Sequence, residues 1–201
     1  MAKQIVIIRH GETEWNKTRR FQGQTDVPLN EEGRRQAADL AIALDALLPF
    51  DRIVSSDLVR AKETAEIMSR MYPTEIVADS GFREMDFGQW EGLTIQEIRG
   101  RWPDALEEWF STGRLRVPGG ETQEQLYNRV WERFLYWADQ PDYTKLAVVC
   151  HGGSCGMILC GVLGRPPHEM SKYMPKNTSI SQVAVLGPGV FSLEQMGDLL
   201  R

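Results

Sequence analysis

Two of the three histidines in this chain stand in the same setting. The apolar run from Ile5 to Ile8 leads directly into Arg9-His10-Gly11, and the run from Lys145 to Cys150 (KLAVVC) leads into His151-Gly152-Gly153. Short apolar runs of this kind read as buried strands, and a glycine just beyond lets the backbone turn sharply or approach a ligand. If the two strands are parallel neighbours, both imidazoles meet at the C-terminal edge of a sheet, where open α/β sheets bind ligands. Three further groups fit neither a core nor a plain surface. Arg60 falls in the first turn of a predicted helix, where it adds to the positive end of the macrodipole and favours an anion. Asn16 lies in a polar loop from Glu12 to Pro28, and loops of that length in compact domains are usually functional. Glu84 lies between Gly81 and Gly92, a stretch with neither helical nor strand period.

Together these groups suit a phosphoryl dianion. Guanidinium offers planar, bidentate donors to phosphate oxygens. One imidazole can attack phosphorus in its neutral form while the other donates a hydrogen bond to the developing charge. A nearby carboxyl group can protonate the leaving oxygen and later activate water. The residue types alone leave open which histidine plays which part. The sequence has neither a P-loop nor an Asp/His metal cluster, so the cations must come from the protein, and the chemistry calls for no cofactor and no metal.

Positioning these groups requires alternating strands and helices. Asn30 caps a helix from about Glu31 to Leu48, with Ala37, Leu40, Ala41, Leu44 and Leu47-Leu48 at helical spacing. A strand from Asp51 to Ser55 ends in Ser55-Ser56-Asp57, a helix start, and the next helix runs from about Leu58 to Met71. A strand from Glu75 to Ala78 precedes the Glu84 stretch. Two or three short helices follow between Thr94 and Ser111, with Trp102-Pro103 as a break. A long amphipathic helix covers Glu121 to Ala138. Helices from Gly153 to Leu163 and from Pro167 to Tyr173 lead to two antiparallel strands around Gly187-Pro188-Gly189. The pattern predicts an α/β fold, a mostly parallel sheet sandwiched by helices, as a single domain over residues 1–201.

The totals narrow the partners. A net charge of −5 argues against a nucleic-acid binder. No stretch approaches the ~20 apolar residues of a membrane span, and the N-terminal apolar run is too short for a signal peptide. Cys150, Cys155 and Cys160 are five apart, which is no metal or redox spacing, and read as buried residues in a reducing compartment. The expectation is a cytoplasmic protein acting on a small molecule, with its oligomeric state, homo-oligomer included, left open.

The motif Arg9-His10-Gly11-Glu12-Thr13-x-x-Asn16 resembles the signature of the histidine phosphatase superfamily, the phosphoglycerate-mutase-like proteins. The likeness continues through Gln22-Gly23, Asp26-x-Pro28-Leu29, Ser56-x-Leu58-x-Arg60-Ala61, Thr64-Ala65, Glu84, Gly88-x-Trp90-Glu91-Gly92, Gly120-Glu121 and His151-Gly152-Gly153. It implies a three-layer fold with a mainly parallel, six-stranded sheet. It implies that His10 is the nucleophile that becomes phosphohistidine and that Arg9, Arg60 and His151 hold the phosphoryl group. Glu84 would be the proton donor, with Asn16, Gln22, Gly23 and Gly152 in the substrate pocket. The implied activity is hydrolysis of a small-molecule phosphomonoester. A phosphoglycerate mutase and a catalytically silent phosphate-binding module are the alternatives.

Departures from the family pattern bear on the activity. Relatives often carry an Arg three residues after the second His-Gly-Gly; here Gly156 stands there, which removes a support for that histidine or for the pocket wall. The mutases have a longer Glu84 region and an inserted substrate segment, absent here, which favours a phosphatase. Lys17, Arg19, Arg20, Arg114 and Arg116 would extend a positive field towards a second acidic group on the substrate, but read equally as surface charge.

Overall fold

The computed structural model describes residues 3–47, 49–71 and 73–199. Its strands are β1 (Lys3–Arg9), β2 (Arg52–Ser55), β3 (Ile76–Ala78), β4 (Lys145–Cys150), β5 (Ile180–Gly187) and β6 (Val190–Asp198). They form one six-stranded sheet in the order β3-β2-β4-β1-β5-β6. The first four strands in that order are mutually parallel, and β5 and β6 add antiparallel. The fold is therefore the three-layer α/β arrangement expected.

Side chains alternate across a strand, and the sheet uses both faces. Ile5, Ile7, Val54, Leu146, Val148 and Cys150 face a core shared with α6 (Gln123–Asp139) and α7 (Gly152–Val162). Val6, Ile8, Ile53, Ala147 and Val149 face the opposite core, under α2 (Glu31–Ala43) and α3 (Val59–Ser69). Burial on both faces explains why β1 and β4 read as continuous apolar runs.

The β1–β4 pairing runs in register from Gln4↔Lys145 to Arg9↔Cys150. The ladder then continues one residue past the strand ends. The His10 amide donates to the Cys150 carbonyl at 3.0 Å, and the Ser56 amide donates to the Val149 carbonyl at 2.9 Å. His10, Ser56 and His151 are thus set out along one edge.

The elements depart from the sequence expectation in several places, the aperiodic stretch around Glu84 among them, which is flanked by 3₁₀ turns at Ser80–Phe82 and Gly88–Trp90. The helix expected from Glu31 to Leu48 is α-helical only to Ala43 and tightens to a 3₁₀ turn over Leu44–Leu47, a common form of helix end; Leu48 lies outside the described residues. The Glu12–Pro28 loop contains a single helical turn, α1 (Glu14–Lys17), closed by a capping box between Thr13 and Asn16. The segment after α7 is likewise 3₁₀, over Pro167–Lys172. Finally, Ser55-Ser56-Asp57 does not supply the cap of α3. Its N-cap is Leu58, and the Val59 amide is instead accepted by Asp26 Oδ1 at 2.7 Å from the polar loop. Between α3 and α6 lie α4 (Ile95–Arg101) and α5 (Pro103–Thr112), broken at Trp102-Pro103 as expected.

The loop after β1 rests directly on α2. A Cβ at Gly33 would lie 2.0 Å from the Glu12 carbonyl oxygen, and one at Gly11 would lie 2.4 Å from the Gly33 carbonyl oxygen. Backbone atoms cannot swing aside as a flexible side chain can. Gly33→Ala should therefore cost about 1–3 kcal/mol, as overpacking does. In a chain of this size that lowers Tm by about 2–10 °C in calorimetry; an unchanged Tm would show that the loop moves freely off α2.

Candidate active site

His10 and His151 are brought together as the strand pattern required. Their ring centroids are 5.1 Å apart, with planes inclined by 60°. Both are buried, as are Arg60 and Glu84.

Hydrogen bonds define the tautomer of each ring. His10 Nδ1 lies 2.6 Å from the Gly11 carbonyl oxygen. A carbonyl oxygen can only accept, so Nδ1 carries the proton and Nε2 keeps its lone pair. Thr64 Oγ1 accepts the Gly11 amide at 3.1 Å and donates to the Arg60 carbonyl at 2.7 Å, tying this turn to α3. His151 is the opposite case. Arg60 Nε donates to its Nδ1 at 3.2 Å. Arginine has no acceptor, so the proton sits on His151 Nε2, which donates to Ser56 Oγ at 2.8 Å. Burial, then the charges of Arg60 and Arg9, hold His10 well below the ordinary imidazole range. Burial, then Arg60, His10 and Arg9, does the same to His151.

The two guanidiniums are held by backbone oxygens. Arg60 Nη1 donates to the Thr25 carbonyl at 3.0 Å and Nη2 to the Gly23 carbonyl at 2.7 Å. Burial lowers it to about 10, against the opposing charges of Glu84, Asp26 and Glu91, so it remains a cation at neutral pH. Of its five N–H groups, two remain unspent. Arg9 Nη1 donates to the Pro175 carbonyl at 2.7 Å. Its Nε is buried with no hydrogen-bond partner among the described residues. Burial lowers Arg9 from its ordinary value, with Glu84 opposing.

Glu84 faces the start of α7. Its Oε2 accepts the Gly153 amide at 3.0 Å and its Oε1 accepts the Met85 amide at 2.9 Å. A Cβ at Gly153 would stand 2.3 Å from Glu84 Oε1 and push the carboxylate out of this position. Gly152 lies beside Arg9, its Cβ position being 3.3 Å from Arg9 Cζ. Asn16 reaches the cluster through Asn177, whose Nδ2 donates to the His10 carbonyl and lies 3.4 Å from Asn16 Oδ1, and Gln22 reaches it through Thr13 and Asn16. Thr13 Oγ1 lies 2.8 Å from Gln22 Oε1 and 3.2 Å from Asn16 Oδ1. Every site residue expected from sequence is thus in or beside this cluster. Gly156 is packed against the segment after α7, where a Cβ would lie 2.8 Å from the Met170 carbonyl oxygen. That segment leaves no room for a longer side chain there.

Several contributors were missed. Arg129 of α6 donates to the carbonyls of Gly81 and Arg83, both at 3.0 Å, and of Glu84 at 3.3 Å, so it holds the loop that carries Glu84. Asn177 Nδ2 donates to the His10 carbonyl at 2.9 Å. Glu91 Oε1 and Oε2 accept the amides of Gln24 at 2.8 Å and Thr25 at 3.0 Å, and so fix the loop whose carbonyls hold Arg60. Glu91 was visible as a motif member without a role, and Ser56 as a motif member read only as part of a helix start. Arg129 on an amphipathic helix gave no signal.

The profile of the histidine phosphatase superfamily (branch 1) matches residues 5–198. The chain belongs to the histidine phosphatase superfamily. A protein named "Probable phosphoglycerate mutase GpmB" from Proteus mirabilis (strain HI4320) is 36% identical over 183 residues, covering 90% of this chain and 84% of the relative. Among solved structures, Bacillus stearothermophilus YhfR is 30% identical with a TM-score of 0.89, covering 98% of each chain. A mycobacterial glucosyl-3-phosphoglycerate phosphatase in complex with VO3 is 29% identical with a TM-score of 0.85, covering 98% of this chain and 100% of its own. The superfamily includes both phosphatases and mutases.

The depressed histidines make folding stability depend on pH. The unfolded chain protonates each imidazole near the ordinary value of about 6.5, while the folded protein does so only at lower pH. Below about 6.5 the unfolded state therefore binds more protons, and stability falls with pH by up to about 1.4 kcal/mol per unit for each histidine. Urea unfolding between pH 7.5 and 5.5 should show this decline, and His10→Asn should flatten it. A slope that His10→Asn leaves unchanged would mean that His10 titrates normally in the folded protein.

Proposed function

We propose that this member of the superfamily is a phosphomonoesterase working through a phosphohistidine on His10. The observation that carries this is a neutral, buried imidazole whose Nε2 lone pair is left free beside two guanidiniums with unspent donors. Arg9 and Arg60 hold the phosphoryl oxygens. His10 Nε2 attacks phosphorus, the bond to the leaving oxygen breaks, and Glu84 gives that oxygen its proton. The Glu84 carboxylate then takes a proton from water, which attacks the phosphohistidine and releases phosphate, leaving His10 neutral again. Each step uses groups that the fold already fixes in place, as electrostatic preorganisation requires. The charge is supplied by guanidinium, so the reaction runs without a metal. The substrate is a small phosphomonoester, met in the cytoplasm.

Two findings support hydrolysis over isomerisation. Solved relatives at 29% identity include a phosphatase by name. Among the surface cations that could bind a second acidic group, Arg20 is paired with Glu97 at 3.1 Å and Arg116 with Glu108 at 3.2 Å. The mutase reading rests on the name of the 36% identical relative. In that case the phosphoenzyme returns its phosphate to a phosphoglycerate instead of to water.

The deciding experiment is incubation with a panel of phosphoglycerates, sugar phosphates, phosphoserine, nucleotides and ribazole phosphate, in chelator, with phosphate release and positional exchange both followed. Release of phosphate, and an acid-labile phosphoenzyme that His10→Ala abolishes, are expected. Positional exchange with little release would replace hydrolysis by isomerisation.

Glu84 carries a separate expectation. Glu84→Gln keeps the shape of the side chain but cannot supply a proton. In single-turnover experiments it should slow phosphoenzyme formation from an alkyl phosphate by about 10²–10⁴-fold, the usual range for general acid catalysis. A nitrophenyl phosphate, whose leaving group departs unaided, should be slowed much less. Equal losses on both would reduce Glu84 to a residue that orders the pocket.

A further inference from the structure

We infer that Asn177 is a positioning residue for the phosphoryl site, its side-chain amide holding the backbone of His10 and the amide of Asn16 in one frame. The kinetic part of this inference rests on the function proposed above; the part read by ligand binding does not.

The bond to His10 decides which end of Asn177 is which. A carbonyl oxygen only accepts, so the atom 2.9 Å from the His10 carbonyl is the nitrogen, Nδ2. It carries two hydrogens. The second is available to Asn16 Oδ1, 3.4 Å away. The Thr13 amide also donates to Asn16 Oδ1, at 3.1 Å. Donors gathered at the oxygen of Asn16 fix the orientation of its amide. Among the described residues nothing accepts from Asn16 Nδ2, so its hydrogens are unspent for a phosphoryl oxygen.

The backbone contact bears on the nucleophile. Glycine is conformationally permissive, so the peptide between His10 and Gly11 needs to be held from outside. It is held at both ends. Thr64 Oγ1 accepts its N–H at 3.1 Å, and Asn177 donates to its carbonyl at 2.9 Å. The next carbonyl along, that of Gly11, accepts the Nδ1 proton of the His10 ring at 2.6 Å. A turn of the clamped peptide would shift that carbonyl. The ring would follow and carry Nε2 out of line with phosphorus.

The segment that supplies Asn177 is strained. Thr178 has a φ of +55°, a region that β-branched residues rarely adopt. Such a conformation persists only where the surroundings over-determine it, and it clusters at functional sites. Here the Thr178 amide donates to the Arg9 carbonyl at 3.0 Å, and the Ser179 amide and hydroxyl both donate to the Lys176 carbonyl, at 3.2 and 2.6 Å. The Pro175 carbonyl takes Arg9 Nη1 at 2.7 Å. Residues 175–179 thus hold Arg9, His10 and Asn16 together. Asn177 makes its share of these bonds with a side chain, which a substitution can remove.

The test combines ligand binding with a double-mutant cycle. Vanadate can take the five-coordinate form of a phosphoryl group in transfer, with an imidazole nitrogen as one ligand, whereas inorganic phosphate stays tetrahedral. Asn177→Ala should weaken vanadate binding about 10–100-fold, the scale on which misplacing a reacting atom costs rate, and phosphate binding less. Single-turnover phosphoenzyme formation from nitrophenyl phosphate should slow to a similar degree as vanadate binding weakens. Asn177→Ser, whose side chain is one bond shorter, should repeat both results and keeps the test open if the alanine variant does not fold. In an Asn16→Ala background the loss on Asn177→Ala should shrink, because one of the two groups it acts on is gone. Equal weakening of both oxyanions, or of neither, overturns the inference. So do losses that add in full across the cycle. If the wild-type protein hydrolyses no phosphate ester, the function proposed above fails, and the vanadate and phosphate titrations of the same variants still decide the role of Asn177.

Discussion

The parallel pairing of β1 with β4 is the constraint from which the site follows. It sets Arg9 opposite Cys150, and one residue on it leaves both imidazoles at the same edge, 5.1 Å apart. Because strand side chains alternate, a slip of one residue would exchange the two faces of the strand. It would expose Ile5 and Ile7, or Val6 and Ile8, to the wrong core. Two-sided burial therefore specifies the register, and the register specifies the site. Hydrophobic packing on either face of the sheet thus does the work of placing polar groups at its edge.

Within that frame the two histidines are differentiated by small local partners. His10 gives its Nδ1 proton to the carbonyl of the next residue. His151 receives a hydrogen bond at the same ring position from Arg60. One imidazole is left with a free Nε2 lone pair and the other with none. Their near-identical sequence contexts gave no hint of this asymmetry. It arises from Arg60, which comes from α3 and reaches only one of the rings, and from the Gly11 turn, which Thr64 of the same helix holds.

What was legible in the sequence divides along contact range. The apolar runs, the His-Gly junctions and the Asn30 cap are local signals, and the structure places them as expected. The order of motifs along the chain carried the family resemblance. Long-range partners were not legible. Asp26 caps a helix 33 residues away, and Arg129 holds the Glu84 loop from 45 residues away. Ser56 was read as a helix start because serine in that position usually is one. Nothing local says that a loop aspartate has taken the task over. The 3₁₀ ending over Leu44–Leu47 escaped for another reason: Leu44 and Leu47 fit the helical spacing whether the last turn is α or 3₁₀.

Burial of Arg60 has two consequences that serve the same chemistry. The guanidinium stays charged, since it is lowered only to about 10, and no carboxylate is in contact with it among the described residues. Its bonds go to two carbonyls and an imidazole nitrogen, which orient the charge without neutralising it. A buried cation without a contact counter-ion is unfavourable on its own, and Arg9, with its unpartnered Nε, adds to the imbalance. A phosphoryl dianion relieves both. Burial first, and then the same charge acting in a medium with little water to screen it, keeps His10 neutral. A nucleophile needs that lone pair, and a binding site for a dianion needs those cations. A carboxylate salt-bridged to Arg60 would make the free protein more comfortable, but it would occupy the donors and weaken one of the charges that hold His10 neutral. The polar backbone cradle of Gly23 and Thr25, held by Glu91 from behind, avoids both outcomes.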